Sequence, residues 1–274
     1  MTKELYGIIG DPVEHSLSPV MHNAAFDELS MDALYVAFRV PQEEVADAIR
    51  GAKSLGIRGL NVTIPLKEKA FSVVDTEEVA KRIGAINTID FHSGSPVGYN
   101  TDGLGALQVL KETVGVIETR NVLILGAGGA ARAISFYLDS EGANVTLANR
   151  TKERAAVLAS KLRNANSIGL GAELKRYIQD SDIIINTTSV GMHPKEDATL
   201  VTADLMHSDL VVFDIVYNPM ETKLLREAKK AGVNMIIDGV KMLVYQGAAS
   251  FNIWTGREPP VETMEKAVRD ALVL

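Results

Sequence analysis

One lysine and one aspartate, Lys67 and Asp102, have the chemistry needed to move a proton during the reduction of a ketone. Hydride addition leaves an alkoxide, and a positioned ammonium group can supply the proton that this oxygen requires. Lys67 follows Pro65 in the first turn of an expected helix, and Asp102 lies in a glycine-flanked loop. Taken singly, Lys67 could be an exposed surface lysine and Asp102 the N-cap of a helix over Gly103–Val114. Their spacing does not decide whether the two side chains meet.

Other polar residues accompany this pair at the junctions between predicted strands and helices in the first hundred residues. Open α/β sheets bind ligands at such junctions. The junction residues are Ser16 and Ser18 after the first strand, Thr63 after the third, and Asn87 within Gly84-Ala85-Ile86-Asn87-Thr88. Hydroxyls, amides, one lysine and one aspartate suit a polyhydroxylated anionic ring.

A glycine-rich turn follows an apolar strand directly and opens a helix. It reads Gly126-Ala127-Gly128-Gly129-Ala130. This is the context of the dinucleotide-binding fingerprint, in which the glycines permit a tight turn and a close approach to pyrophosphate. The helix N-terminus then offers free N–H groups to the phosphates. The pattern predicts a Rossmann half that binds a dinucleotide.

The end of the next strand discriminates between the two nicotinamide cofactors. NAD-binding proteins place an Asp or Glu there, about 20 residues beyond the first glycine. Here the strand ends at Asn149-Arg150-Thr151, with Arg154 one turn later, and its tip carries no carboxylate. Amide, hydroxyl and guanidinium donors suit a 2′-phosphate, so the sequence predicts NADP. The alternative is that Arg150 and Arg154 are solvated residues entering a helix.

The elements that must position these residues alternate between short β-branched runs and helical patterns, which indicates an α/β fold with largely parallel sheets. We expect a substrate-binding catalytic domain over 1–102, a Rossmann NADP-binding domain over 103–238, and C-terminal helices over 239–274 that return to the first domain. Ser18 is expected to be the N-cap of a helix whose first residue is Pro19. A strand is expected over 85–91 and a helix over 152–162.

Composition limits the class of protein. The 274 residues are 46% hydrophobic and 23% charged, as in ordinary globular proteins. A net charge of −7 argues against nucleic acid and anionic membranes as partners. The chain has no cysteine, no secretory signal and no spanning segment, which fits a cytoplasmic protein. Its five histidines lack metal-ligand spacing, so no metal is expected. A homodimer is left open.

Together these segments resemble the shikimate dehydrogenase family, in the family's order along nearly the whole chain. Further segments that match are Ser16-Leu17-Ser18-Pro19, Asn61-Val62-Thr63, Tyr99-Asn100-Thr101-Asp102-Gly103, Asn186-Thr187-Thr188, Gly191-Met192, Asp214, Tyr217-Asn218-Pro219, Gly239 and Gln246-Gly247-Ala248. The resemblance implies an NADP-dependent oxidoreductase acting on a CH–OH group. Its reaction would be the reversible reduction of 3-dehydroshikimate to shikimate, in chorismate and aromatic amino acid biosynthesis.

The same resemblance implies roles for single residues. Lys67 would be the general acid and base, with Asp102 orienting it. The substrate residues would be Ser16 and Ser18 for the carboxylate, and Thr63, Asn87 and Gln246 for ring hydroxyls, assisted by Lys67 and Asp102. The cofactor residues would be Gly126, Ala127, Gly128, Gly129 and Ala130 for pyrophosphate, Asn149, Arg150, Thr151 and Arg154 for the 2′-phosphate, and Gly239 and Met242 for nicotinamide. Tyr217 would lie near the mouth of the site.

Several alternatives stand beside this interpretation. Gln246, in a mostly apolar helix, could be a buried amide that bonds backbone, and Tyr217-Asn218-Pro219 could be a turn after a strand. The nearest rival function is a quinate/shikimate dehydrogenase with broader substrate and cofactor use. The paired serines and the arginine-rich strand tip favour the narrower enzyme. An NADP-binding regulatory protein would not need both Lys67 and Asp102, and an unrelated Rossmann reductase leaves the polar junctions unexplained.

Overall fold

The computed structural model describes residues 3–92 and 94–273. The chain divides into two compact units, one formed by Met1–Gly105 with Val244–Leu274 and the other by Ala106–Leu243. Two helices pass from one unit to the other, because α5 spans Thr101–Val114 and α10 spans Gly239–Thr255.

The first unit is built on a mixed six-stranded sheet in the order β2-β1-β3-β5-β6-β4. Its strands are β1 Glu4–Gly10, β2 Ala33–Arg39, β3 Gly59–Val62, β4 Asp75–Thr76, β5 Thr88–Asp90 and β6 Val97–Tyr99. Its helices are α1 Ser18–Glu28, α2 Val45–Ser54, α3 Lys67–Phe71, α4 Glu78–Ile83 and α11 Val261–Val273, with the start of α5 and most of α10. Helix α1 packs on α11.

Several strand ends meet at one edge of this sheet. β1 and β3 are parallel, with Ile9 opposite Val62. β5 is antiparallel to β3, with Asn61 opposite Thr88, and β6 is antiparallel to β5, with Thr88 opposite Tyr99. The segments that follow β1, β3 and β6 and the residue that precedes β5 therefore lie at the same edge.

The second unit contains a wholly parallel six-stranded sheet in the order β12-β11-β10-β7-β8-β9. Its strands are β7 Asn121–Leu125, β8 Asn144–Asn149, β9 Ala165–Gly169, β10 Ile183–Asn186, β11 Val211–Asp214 and β12 Met235–Ile237. Its own helices are α6 Gly129–Ser140, α7 Lys152–Ala159, α8 Leu174–Gln179 and α9 Lys223–Lys230. Counted from β7, this is the 3-2-1-4-5-6 order of the Rossmann fold.

Each unit has its own apolar core. In the first, β-branched and leucine side chains such as Ile9, Leu60 and Ile89 pack with Val45 and Ile49 of α2. In the second, Leu123 and Ile184 from central strands pack with Ile178 of α8 and Leu224 and Leu225 of α9. Strands buried on both faces read as nearly continuous apolar runs, as β10 does with Ile183, Ile184 and Ile185.

The predicted α/β class is confirmed, and several boundaries were wrong. Ser18 is the first residue of α1 rather than its N-cap, since Leu17 occupies that position and the Ser16 hydroxyl accepts from the Ser18 N–H at 3.3 Å. The strand expected over 85–91 is confined to Thr88–Asp90, and the helix expected over 152–162 ends at Ala159. The first sheet contains two antiparallel pairs, because β5 runs opposite to both of its neighbours, β3 and β6.

Candidate active site

The converging strand ends of the first unit bring the predicted junction residues to one place. Lys67 is the first residue of α3, which begins shortly after β3. Asp102 lies in the first turn of α5, which follows β6. Asn87 immediately precedes β5. Thr63 follows β3 and is half-buried, with its N–H donating to the Ile9 carbonyl at 2.9 Å.

Lys67 and Asp102 form a hydrogen-bonded ion pair. The Lys67 Nζ lies 2.5 Å from Asp102 Oδ2. The two side chains are 25% and 12% exposed, so solvent reaches the ammonium while most of the carboxylate is covered. Asp102 lies inside α5, which begins at Thr101, so the N-cap alternative is wrong. The carboxylate thus holds the Nζ of Lys67 in a defined position among polar side chains.

Asn87 connects Asp102 to α10. Its Nδ2 lies 2.9 Å from Asp102 Oδ1 and 3.3 Å from Gln246 Oε1 of α10. Its Oδ1 accepts from the Thr101 N–H at 2.7 Å, which fixes the orientation of the amide. Both Asp102 oxygens are therefore held by donors, one from Asn87 and one from Lys67. Gln246 is half-buried and bonded to a site residue, so its side chain is not an amide buried against backbone alone.

The serine loop lies between β1 and α1. Ser18 is buried at 4% exposure, and Ser16 is half-buried. The Ser16 hydroxyl accepts the Ser18 N–H at 3.3 Å, which holds the two residues together at the start of α1. These hydroxyls and the helix N-terminus offer neutral donors suited to a carboxylate.

The glycine loop occupies the connection from β7 to α6 in the second unit. Gly126 has φ +117°, a conformation that L side chains rarely adopt, and a Cβ there would lie 2.5 Å from the Thr187 hydroxyl oxygen. A Cβ on Gly128 or Gly129 would meet no atom within 4 Å. The loop therefore leaves open space over the start of α6, which fits a pyrophosphate lying against backbone N–H groups.

The tip of β8 presents cationic side chains. Asn149 Nδ2 donates to the Thr151 carbonyl at 2.9 Å, which shapes the turn into α7. Arg150 and Arg154 are exposed, and within residues 3–92 and 94–273 neither guanidinium has an ion-pair or hydrogen-bond partner. Unpaired guanidinium groups beside a polar turn fit an anionic phosphate, as predicted for NADP.

The other residues predicted to lie at the nicotinamide or at the mouth of the site belong to the second unit. Tyr217 is partly covered, and burial raises the pKa of its phenol. Gly239 begins α10, where a Cβ would lie 2.5 Å from the carbonyl carbon of Val216, and Met242 is buried one turn later. This close approach requires glycine at 239.

Asp214 was matched to the family but given no role, and it organises the loops after β10 and β11. Its carboxylate accepts from Asn186 Nδ2 at 2.9 Å, from the Val216 N–H at 3.0 Å and from the Thr222 hydroxyl at 2.6 Å. Burial raises its pKa from 3.8 to about 6, although these hydrogen bonds oppose the rise. The three bonds hold the segment that carries Tyr217.

Sequence reasoning missed a set of buried polar residues beneath the site: Tyr35, Asn61, Thr88, Thr101 and Ser250. Asn61 carried a usable signal, since a polar residue inside an apolar strand needs a buried partner. Ser250 carried none, because its partner Asn61 lies 189 residues away.

Residues 3–92 and 94–273 contain neither a cluster of metal ligands nor a membrane-spanning helix. No group of three or more His, Asp or Glu residues is arranged to hold a metal ion. No helix there has the length and apolar character needed to cross a membrane.

Comparison with known proteins gives three matching family models. They are the shikimate dehydrogenase substrate binding domain over residues 8–89, shikimate / quinate 5-dehydrogenase over residues 108–228, and the shikimate 5′-dehydrogenase C-terminal domain over residues 239–269. The first match contains the serine loop, Lys67 and Asn87, and the second contains the glycine loop.

Whole-chain relatives agree. A protein of Methanococcoides burtonii named shikimate dehydrogenase (NADP(+)) is 54% identical, over 98% of this chain and 99% of its own. A crystal structure of shikimate dehydrogenase in complex with NADP+ is 44% identical with a TM-score of 0.91, over 98% of this chain and 96% of its own. A Thermus thermophilus shikimate 5-dehydrogenase in complex with NADP(H) and shikimate is 37% identical with a TM-score of 0.89, over 98% of this chain and 100% of its own.

Proposed function

Since the chain belongs to the shikimate dehydrogenase family, we propose that it catalyses the reversible NADPH-dependent reduction of 3-dehydroshikimate to shikimate. The single observation that carries the assignment of roles is the Lys67–Asp102 pair. Its ammonium lies 2.5 Å from a carboxylate that Asn87 also holds, at the edge of the sheet where the substrate-loop residues converge.

The proposed proton transfer follows from this geometry. When bound, NADPH supplies a hydride to the C3 carbonyl carbon of the substrate. Lys67 then gives a proton to the resulting C3 oxygen, and in the reverse direction it removes the proton from the C3 hydroxyl. Asp102 holds the ammonium in place through Oδ2, while Asn87 holds Asp102 through Oδ1. Fixing the donor in advance lowers the entropic cost of reaching the transition state.

The polar groups around the pair suit the remainder of the substrate. We assign the carboxylate to Ser16 and Ser18, and the ring hydroxyls to Thr63, Asn87 and Gln246 together with Lys67 and Asp102. The hydrogen bond between Asn87 and Gln246 supports this grouping, because it links the residue that precedes β5 to α10 in one cluster.

The cofactor residues lie in the second unit. Gly126–Ala130 would hold the pyrophosphate, since the space beside Gly128 and Gly129 is open. Asn149, Arg150, Thr151 and Arg154 would hold the 2′-phosphate, and Gly239 and Met242 would lie beside the nicotinamide with Tyr217 near the substrate. Arg150 and Arg154 favour NADP over NAD because their guanidinium groups can bond the 2′-phosphate that NAD lacks. In addition, the strand tip has no carboxylate that could bond the free ribose hydroxyl of NAD.

Steady-state absorbance at 340 nm tests the proposal, with shikimate or quinate as substrate and NADP or NAD as cofactor. Rapid NADP reduction with shikimate, and slow turnover of the other three pairs, is expected. Efficient turnover of quinate with NAD would instead indicate the broader quinate/shikimate dehydrogenase. Binding of NADP without turnover of either acid would refute the enzymatic proposal.

The proposal includes a cytoplasmic location and no nucleic-acid partner.

A further inference from the structure

A fully buried polar cluster lies beneath the Lys67–Asp102 pair in the first unit. We call Tyr35, Asn61, Thr88, Thr101 and Ser250 the buried network. Each member is at most 4% exposed. Buried polar groups without partners are costly, and a network with every member bonded fixes the orientation of each one.

Asn61 is the centre of this network. Its Nδ2 lies within 3.1 Å of three oxygens, which are the Asn87 carbonyl, the Thr88 hydroxyl and the Ser250 hydroxyl. Its Oδ1 accepts from the Tyr35 hydroxyl at 2.7 Å. The reversed amide would set its oxygen against the Asn87 carbonyl, so the Asn87 acceptor and the Tyr35 donor favour the same orientation.

Tyr35 is itself fixed on several sides. Its N–H donates to Asn23 Oδ1 at 2.8 Å, and its carbonyl accepts from Asn23 Nδ2 at 2.9 Å. Its ring stacks on His22 with centroids 4.4 Å apart and planes 11° apart. Burial raises the pKa of the phenol well above 10, while a hydrogen bond with the Ser18 side chain opposes that rise. The hydroxyl therefore remains protonated and donates to Asn61 from a defined position next to the serine loop.

The other end of the network reaches the proposed proton donor. The Thr88 hydroxyl lies 3.1 Å from Asn87 Oδ1, and the Thr101 hydroxyl lies 2.9 Å from Asn87 Nδ2. The Ser250 hydroxyl bonds Thr88 at 2.8 Å and Thr101 at 3.2 Å. Asn87 in turn holds Asp102. A continuous set of hydrogen bonds thus joins the serine loop to the Lys67–Asp102 pair.

We propose that Tyr35 is a positioning residue. Through Asn61 it fixes the positions of Asn87 and Asp102 relative to the serine loop. This inference rests on the proposed function, since it assigns the serine loop to the substrate carboxylate and Lys67 to the proton. Loss of the Tyr35 hydroxyl leaves Asn61 Oδ1 buried without its donor, and the Asn61 side chain then shifts away from Asn87. Substrate binding is then weaker and proton transfer slower, while the proposed cofactor residues of the other unit keep their hydrogen bonds.

The test compares Tyr35→Phe with Tyr6→Phe in the full-length enzyme. Both tyrosines are 1% exposed, and both pack against Trp254. The Tyr6 hydroxyl, however, bonds Glu4 at 3.4 Å and does not reach the buried network. Rates are measured with shikimate varied at saturating NADP and with NADP varied at saturating shikimate. Tyr35→Phe should lower kcat/KM for shikimate by about tenfold with the KM for NADP unchanged, and Tyr6→Phe should change neither.

Ser250→Ala provides a second variant at the far end of the network, and it should give the same selective loss. Wild-type shikimate kinetics in Tyr35→Phe, or equal losses in Tyr35→Phe and Tyr6→Phe, would overturn the positioning role. If Tyr35→Phe does not fold, wild-type kinetics in Ser250→Ala would overturn it instead. A wild-type enzyme that fails to reduce NADP with shikimate refutes the proposed function itself, and that result is visible before any variant is compared.

Discussion

The Lys67 ammonium lies 2.5 Å from the Asp102 carboxylate, although 35 residues separate them in the chain. Because an ammonium can donate a proton and a carboxylate can hold that ammonium in place, this pair carries the proposed proton transfer in ketone reduction. The proposed role predicts a loss of turnover rather than of binding when the ammonium is removed.

Lys67→Met should lower kcat by about 10²- to 10⁴-fold and raise the KM for shikimate much less, because proton transfer belongs to the transition state. Lys69→Met is the matched control, since Lys69 is an exposed lysine of the same short helix. Steady-state rates with shikimate and NADP measure both constants. A kcat within a few-fold of wild type would remove Lys67 from the mechanism.

Arg150→Ala should raise the KM for NADP by about 10- to 100-fold and leave the KM for NAD nearly unchanged, because a charge-assisted bond to the 2′-phosphate is lost. Arg176→Ala is the control, since Arg176 is an exposed arginine of the same unit paired with Asp180 at 3.5 Å. The two cofactors are varied at saturating shikimate. An unchanged ratio of the two KM values would contradict the assignment of Arg150.

Gly105→Ala should weaken shikimate binding through α10. A Cβ at Gly105 would lie 2.6 Å from the Gln246 backbone nitrogen, so α10 must shift and draw Gln246 away from Asn87. We expect a severalfold rise in the KM for shikimate and a lower melting temperature. Gly51→Ala is the control, because Gly51 also lies in a helix and a Cβ there meets nothing within 4 Å. Gly51→Ala should raise the free energy of unfolding by up to about 1 kcal/mol. Equal changes in the KM for shikimate and in the melting temperature of the two variants would exclude the steric explanation.

His22 should make the protein less stable in acid. It is fully buried, neither ring nitrogen has a hydrogen-bond partner, and burial lowers its pKa from 6.5 to about 3. Between these values the unfolded chain binds a proton that the folded protein does not, so stability is lost as pH falls below 6.5. At about pH 5 the loss is on the order of 2 kcal/mol.

Urea unfolding between about pH 4.5 and pH 8 measures this effect. His22→Phe should reduce the fall in the free energy of unfolding at low pH, because a phenyl ring can stack on Tyr35 without titrating. A free energy of unfolding that falls equally at low pH in the wild type and in His22→Phe would contradict the lowered pKa of His22.

Asp214 should act in the opposite direction. Its pKa is raised from 3.8 to about 6, so between these values the folded protein binds a proton that the unfolded chain does not. Its contribution to stability therefore grows as pH falls from 6 to 3.8. This gain partly offsets the loss of stability caused by His22. Asp214→Asn should therefore make the loss of stability at low pH steeper than in the wild type. An acid limb of unchanged slope in Asp214→Asn would contradict the raised pKa.

The features that the sequence determined are those produced by short stretches of chain. The glycine turn between β7 and α6 could be identified because a strand, a left-handed glycine and a helix N-terminus are adjacent in sequence. The arginines at the end of β8 could be assigned to a phosphate because the strand tip and the following helix turn are also adjacent. Backbone conformation and helix-end electrostatics act over a few residues, so local pattern is sufficient there.

Contacts between distant segments were decided by the tertiary structure. Asp102 was equally acceptable as a helix cap until the antiparallel β5 and β6 placed it beside Lys67. Gln246 reaches Asn87 across 159 residues, and Ser250 reaches Asn61 across 189. Such meetings depend on strand register and on where the chain returns, and these are set by the burial of apolar surface over the whole unit. No local pattern carries that information, so the polar residue in β3 indicated a buried partner for Asn61 but only the fold identified the members of the buried network.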